Sequence, residues 1–137
     1  MAIAQRLQKL RQQLSDKEFD GIIITQSENC RYISGFTGSS GSVGTLLVSQ
    51  NRAILATDFI HFEQAKQEAL GCEIVLARNP AHGFAALLSA QKLNRLAIEA
   101  DFICFADYRR LAEEADTVQS EIVPTEGIVE SIRAVKD

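Results

Sequence analysis

Apolar residues first recur along this chain at Ile3, Leu7, Leu10 and Leu14, with Gln, Lys and Arg filling most positions between them. Steps of three and four place them on one stripe of a helix, so the chain is expected to open with an amphipathic helix facing a core. The period then changes. Gly21-Ile22-Ile23-Ile24-Thr25 is a β-branched run without polar alternation, the pattern of a strand buried on both faces. Ser27 is placed to cap a short helix over 28–34, which Gly35 ends. Two strand-like runs, 43–48 and 52–57, flank Ser49-Gln50-Asn51 and read as an antiparallel hairpin.

Asp58 stands as N-cap of a helix over 59–70, ended by Gly71, and Glu73 to Ala77 reads as a strand. Asn79-Pro80 opens a further helix, with proline at the first helical position, where its missing N–H costs nothing. Phe84, Leu87 and Leu88 form its inner face. Arg95 to Ile98 predicts a strand, 104–115 a helix and 118–123 a strand, and a last helix runs through Ile128, Val129, Ile132 and Val135. A hairpin followed by strand–helix alternation predicts an α/β fold, a mixed β-sheet flanked by helices. At 137 residues this is one domain, large enough to bury roughly two-thirds of the surface of its unfolded chain.

The formal charge of −4 and a pI near 5.2 leave no basic field for a phosphate backbone. Arg6, Lys9 and Arg11 lie on the polar side of the first helix without interleaved aromatics, so no nucleic-acid partner is expected. The same basic residues interrupt the position where a signal peptide needs an apolar run. No apolar stretch approaches the ~20 residues that span a bilayer, so no membrane partner is expected. Cys30, Cys72 and Cys104 are odd in number and widely spaced, which points to reduced thiols in a cytoplasm.

A co-catalytic metal centre draws several carboxylates and histidines onto its ions. Here only His61 and His82 are available, in no H-x-x-x-H or H-E-x-x-H spacing, so neither a metal nor another cofactor is expected to bind this chain. Cys30 and Cys104 have no base beside them in sequence and read as small core hydrophobes. Ser39, Ser40 and Ser42 lack a G-x-S-x-G frame, and Glu113-Glu114 and Asp16 with Glu18 read as solvated faces.

The densest segment is Asn29 to Gly41, NCRYISGFTGSSG, where Asn29, Arg31 and Tyr32 precede glycines at 35, 38 and 41. Glycine supplies positive φ and close backbone approach, so this spacing predicts a loop of special shape. A phosphate cradle is disfavoured, because the loop leads into a strand and no lysine follows. A loop that touches a partner or substrate remains, beside the plainer reading of a tight connection.

The segment resembles the N-x-R-Y-x-[ST]-G-F-x-G-[ST]-x-G signature of the N-terminal, non-catalytic domain of Xaa-Pro peptidases, the family of prolidase, aminopeptidase P and creatinase. Thr57-Asp58 with Gln64-Ala65 is similar to the family's T-D-x-R-Y-x-x-Q-A, and VPTEGIVESIRAVK from Val123 to its V-P-x-x-x-x-V-x-x-x-R-x-x-K. The resemblance implies a ribonuclease-H-like domain over 1–126, then over 127–137 the start of a linker helix toward a C-terminal metallopeptidase domain. It implies as parent a cytoplasmic Xaa-Pro dipeptidase, ahead of aminopeptidase P, with a creatinase-like amidinohydrolase, a pseudo-enzyme or a binding domain as alternatives. Two divalent ions, manganese, cobalt or zinc, would sit in the C-terminal domain, and no catalytic residue in this chain. By the same resemblance this domain supplies homodimer contacts and a loop over the partner's active-site mouth, limiting the length of proline-containing peptides. The candidates for substrate access or partner contact are Arg31, Tyr32, Gly35, Phe36, Gly38, Gly41, Asp58 and His61. Arg31 has the chemistry to hold a carboxylate in two parallel hydrogen bonds. Where the family has Arg-Tyr after T-D-x, this chain has Ile60-His61, so that arginine's contacts do not carry over.

Overall fold

Ile22, Ile23 and Ile24 are each fully removed from water, on both faces of the strand they form, a contribution of roughly 1.5–3 kcal/mol apiece. The computed structural model describes residues 1–38 and 44–134. The strands are β1 (Gly21–Ile24), β2 (Gly44–Ser49), β3 (Ala53–Thr57), β4 (Glu73–Leu76), β5 (Arg95–Glu99) and β6 (Glu121–Thr125). They form one sheet in the order β4-β3-β2-β1-β5-β6. β2 is antiparallel to both its neighbours, and every other pairing is parallel. The predicted mixed sheet is therefore present, and the strands other than β2 all end on one edge.

The helices are α1 (Ile3–Asp16), α2 (Ser27–Ser34), α3 (Phe62–Glu68), α4 (Pro80–Ala90), α5 (Phe105–Thr117) and α6 (Ile128–Arg133). Strand alternation divides the core between the two faces. Ile22, Ile24, Leu46, Val48 and Leu55 meet Leu7, Leu10 and Leu14 of α1, with α2, α3 and α6 completing that layer. Ile23, Leu47, Ile54, Leu96 and Ile98 meet Phe84, Leu87 and Leu88 of α4 and Leu111 of α5. Ile128, Val129 and Ile132 bury the described part of the last helix in the first of these cores. Val135 lies outside the described residues.

Several boundaries differ from the sequence expectation, each for a local reason. Gln26, not Ser27, caps α2, its side chain accepting from the Asn29 N–H. Asp58 caps a turn over 58–61 rather than the helix, which starts only at Phe62. Gln119 adopts φ of 59°, which turns the chain after α5 and delays β6 to Glu121. Arg6 and Arg11 are not simply solvated. Arg11 Nε donates to the Ser49 carbonyl at 2.7 Å and pins the β2–β3 hairpin to α1. Cys104 is exposed ahead of α5 and not a core residue, whereas Cys30 is buried.

Candidate functional site

The carboxyl edge of the sheet gathers the segments that follow β1, β3, β4, β5 and β6, together with the first residue of β2. This is the edge on which parallel-rich sheets present their ligands and partners. Glu99 closes β5 there and is only 6% exposed. Its Oε1 accepts the main-chain N–H groups of Thr25 at 2.7 Å and Gln26 at 2.9 Å, just beyond β1. Its Oε2 accepts from Asn29 Nδ2 at 2.6 Å. The same Nδ2 donates to Glu130 Oε2 at 3.0 Å, and Asn29 Oδ1 accepts from Arg133 Nη1 at 2.8 Å. Arg133 Nη2 continues to Glu28 Oε2 at 2.8 Å. Burial pushes the Glu99 carboxyl above its ordinary range, with the nearby Glu130 adding to this; the Gln26, Asn29 and Thr25 donors oppose it.

The other end of α2 leads into the glycine-rich segment. Gly35 ends the helix at φ of 85°, and Phe36 is fully buried behind it. Glu68 at the end of α3 clamps the next residue. Its Oε1 accepts the Thr37 N–H at 2.8 Å, and Thr37 Oγ1 lies 2.9 Å from both carboxylate oxygens. Gln64 Nε2 donates to Thr37 Oγ1 at 3.2 Å. The Thr37 N–H first, then the Thr37 hydroxyl and Gln64, hold Glu68 below the usual carboxylate range against its partial desolvation. A Cβ on Gly38 would stand 2.8 Å from the Phe36 ring, so a side chain here has to displace that buried ring.

Among the residues singled out from sequence, Arg31 is exposed, and its side chain makes no hydrogen bond or ion pair among the described residues. Tyr32 is half-buried, with the Arg6 guanidinium 4.1 Å above its ring and Arg6 Nη1 bonded to its carbonyl at 2.9 Å. That is a packing role. Gly35, Phe36 and Gly38 shape the base of the loop, and Gly41 lies outside the described residues. Asp58 Oδ1 accepts the His61 N–H at 2.9 Å and lies 2.7 Å from the ring Nδ1. Burial raises the Asp58 carboxyl, but the His61 ring and N–H together outweigh it and leave the group below its ordinary range. Asp58 also lines a cleft of about 220 Å³ with Thr45, Thr57, Arg78 and Asn79. Beside it Phe59 and Ile60 are 82% and 83% exposed. Asp58 and His61 therefore sit on the same edge as α2, in a separate cluster.

Sequence reasoning missed Glu99, Glu130, and the Thr37–Glu68 clamp. The only signal for Glu99 was an acid directly after the apolar run Leu96-Ala97-Ile98, and its partner Asn29 stands 70 residues away. Of the three segments quoted for the resemblance, the first touches each of the other two. Asn29 binds Arg133 of the third, and Thr37 binds Gln64 of the second. Among the described residues no three His, Cys, Asp or Glu side chains come together to hold a metal ion, so they do not form the donor set a two-ion centre needs. Burial, with Cys30 nearby, pushes the Cys72 thiol up to about 11, so it stays protonated and is a poor nucleophile.

The six-stranded mixed sheet, covered by helices on both faces, makes this a three-layer α/β domain. The chain matches the Creatinase/Prolidase N-terminal domain over residues 6–135 and belongs to that family. It is 31% identical to the uncharacterized peptidase YqhT of Bacillus subtilis (strain 168), over 96% of this chain and 36% of that protein. Its structure resembles an Xaa-Pro dipeptidase from Bacillus anthracis at TM-score 0.85 and 29% identity, covering 99% of this chain and 37% of that one. It also resembles the N-terminal domain of the cytoplasmic peptidase PepQ from Mycobacterium tuberculosis H37Rv, at TM-score 0.83 and 30% identity, over 94% of this chain and 98% of that one. An Xaa-Pro aminopeptidase from Streptococcus pyogenes is similar at TM-score 0.83 and 28% identity, over 96% of this chain and 97% of that one. The chain thus spans little more than a third of YqhT and of the B. anthracis enzyme.

Proposed function

We propose that this chain is the N-terminal domain of a cytoplasmic, metal-dependent Xaa-Pro dipeptidase, whose chemistry belongs to a C-terminal domain. The observation that carries this reading is family membership together with the likeness to the B. anthracis Xaa-Pro dipeptidase over nearly all of this chain. The bond concerned suits a dedicated enzyme, because proline has no N–H to donate and its ring fixes φ. In this reading two divalent ions, manganese, cobalt or zinc, are held by the C-terminal domain, where they activate water and polarise the scissile carbonyl. This domain contributes position. Arg31, charged and unpartnered among the described residues, is available to a peptide carboxylate, and the clamped base at Gly35–Gly38 holds the start of a segment that restricts substrate length.

Homodimer contacts belong to the same proposal. They are supported by large apolar side chains left in the open, Phe59, Ile60, Leu70 and Phe105. A cytoplasmic location is supported by the description of the PepQ relative as cytoplasmic. The likeness to the S. pyogenes Xaa-Pro aminopeptidase keeps aminopeptidase P as the second reading. One assay separates them. The full-length protein, loaded with manganese, cobalt or zinc, is offered Ala-Pro and Ala-Pro-Ala-Ala. Faster cleavage of the dipeptide is expected; faster release of alanine from the tetrapeptide favours the second reading, and no cleavage of either contradicts both.

A further inference from the structure

α6 is described over six residues, and its N-cap, Gly127, adopts φ of 77° and offers no side-chain cap. With its first turn uncapped, that turn takes its order from tertiary contacts. Ile128, Val129 and Ile132 supply apolar contacts, which attract without setting direction. Direction comes from hydrogen bonds, and here two residues of α6, Glu130 and Arg133, converge on one side chain, Asn29. Asn29 is fully buried and has little freedom of its own. Its main-chain N–H is held by the Gln26 side chain, and its amide nitrogen by Glu99, which two main-chain N–H groups hold in turn. Charge also fixes the orientation of the amide. The NH₂ faces two carboxylates and the oxygen faces a guanidinium, so a flipped amide would oppose like groups on both sides.

We propose that Asn29 is the positioning residue of a joint: locked from within by Glu99, it grips Glu130 and Arg133 and so fixes the direction in which α6 carries the chain away from this domain. This rests on the reading above, in which a catalytic domain follows α6, and it assigns Asn29 the setting of one domain against the other. Phe102, on the segment after Glu99, lines a small cleft with Gly127, Ile128 and Glu130 at the start of α6, and its carbonyl accepts from Thr25 Oγ1 at 2.7 Å, which ties that segment to the same network.

The test uses the full-length protein with Asn29→Asp, which keeps shape and the acceptor for Arg133 but sets a third carboxylate against Glu99 and Glu130. Hydrogen exchange at the Ser131 and Ala134 amides, bonded to the Gly127 and Glu130 carbonyls, should accelerate about tenfold or more, as expected for a lost charge-assisted bond. The β1 amides should keep their protection, and the small-angle scattering profile should change. kcat/KM should fall at unchanged metal content. Arg133→Ala, at a half-buried site, should shift exchange and scattering in the same direction and covers the case in which Asn29→Asp does not fold. Glu28→Gln, which removes only the outer ion pair, should change neither. Exchange and scattering unaltered in both Asn29→Asp and Arg133→Ala would overturn the joint. Absence of Xaa-Pro hydrolysis in the unmutated protein would instead overturn the functional reading, and exchange and scattering would still decide the joint.

Discussion

Replacing Glu99 by alanine would strand three donors in the interior, the Thr25 and Gln26 N–H groups and the Asn29 amide. We expect Glu99→Ala to lose about 3–5 kcal/mol of folding stability in urea unfolding. Glu99→Gln keeps one oxygen for the two main-chain donors but turns an NH₂ toward the Asn29 NH₂, and its pH behaviour is diagnostic. Burial raises the Glu99 carboxyl, so the folded state binds the proton more tightly than the unfolded chain does. The stability this group contributes is complete below the unfolded carboxyl value and is lost as pH rises through the folded one. The advantage of the wild type over Glu99→Gln should therefore shrink as pH climbs above about 4; an advantage that grows would contradict the assignment. Arg31 is the opposite case. Lacking a partner among the described residues, its loss in Arg31→Ala should move stability by less than ~0.5 kcal/mol. In the full-length enzyme the same change should lower kcat/KM roughly tenfold if it holds a substrate carboxylate.

At the scale of elements, α2 joins the two halves of the polar edge, with Asn29 in its first turns and the Gly35–Thr37 exit at its end. Gly38→Val should force the Phe36 ring aside and loosen the Thr37–Glu68 clamp, read as faster exchange at the Thr37 amide. The clamp has its own pH sense. Glu68 is held below the usual carboxylate range by Thr37, so the clamp is intact above that range and is lost as pH falls through the folded value. A lower protection factor at the Thr37 amide in acid, relative to the intrinsic exchange rate at each pH, is therefore expected, and Glu68→Gln should abolish that change in protection. Elements were readable in the sequence wherever period or β-branching dominated, as in α1, β1 and the β2–β3 hairpin. The start of α3 was not, because Asp58 offers the same N-cap bond to a single turn as to a helix, and only the exposed Phe59 and Ile60 distinguish the two. The Glu99 network was invisible for another reason. Asn29, Glu99 and Glu130 lie on α2, β5 and α6, and only the sheet order brings them together.

At the scale of the whole molecule, the division of labour is the claim that matters most. The chain belongs to the Creatinase/Prolidase N-terminal domain family, and we have proposed that it positions substrate and partner while a C-terminal domain holds the metal ions and breaks the bond. The full-length protein should accordingly run as a dimer or larger in light scattering, with Phe59→Ser and Ile60→Ser shifting it toward monomer if the exposed pair is covered on assembly. The most direct test is turnover by residues 1–137 alone, beside the full-length protein, on Ala-Pro with added manganese, cobalt or zinc. Turnover by the full-length protein and none by residues 1–137, with no stoichiometric metal retained after gel filtration, is the expected result. Steady Ala-Pro hydrolysis by residues 1–137 that survives purification would place the chemistry in this domain and contradict the account.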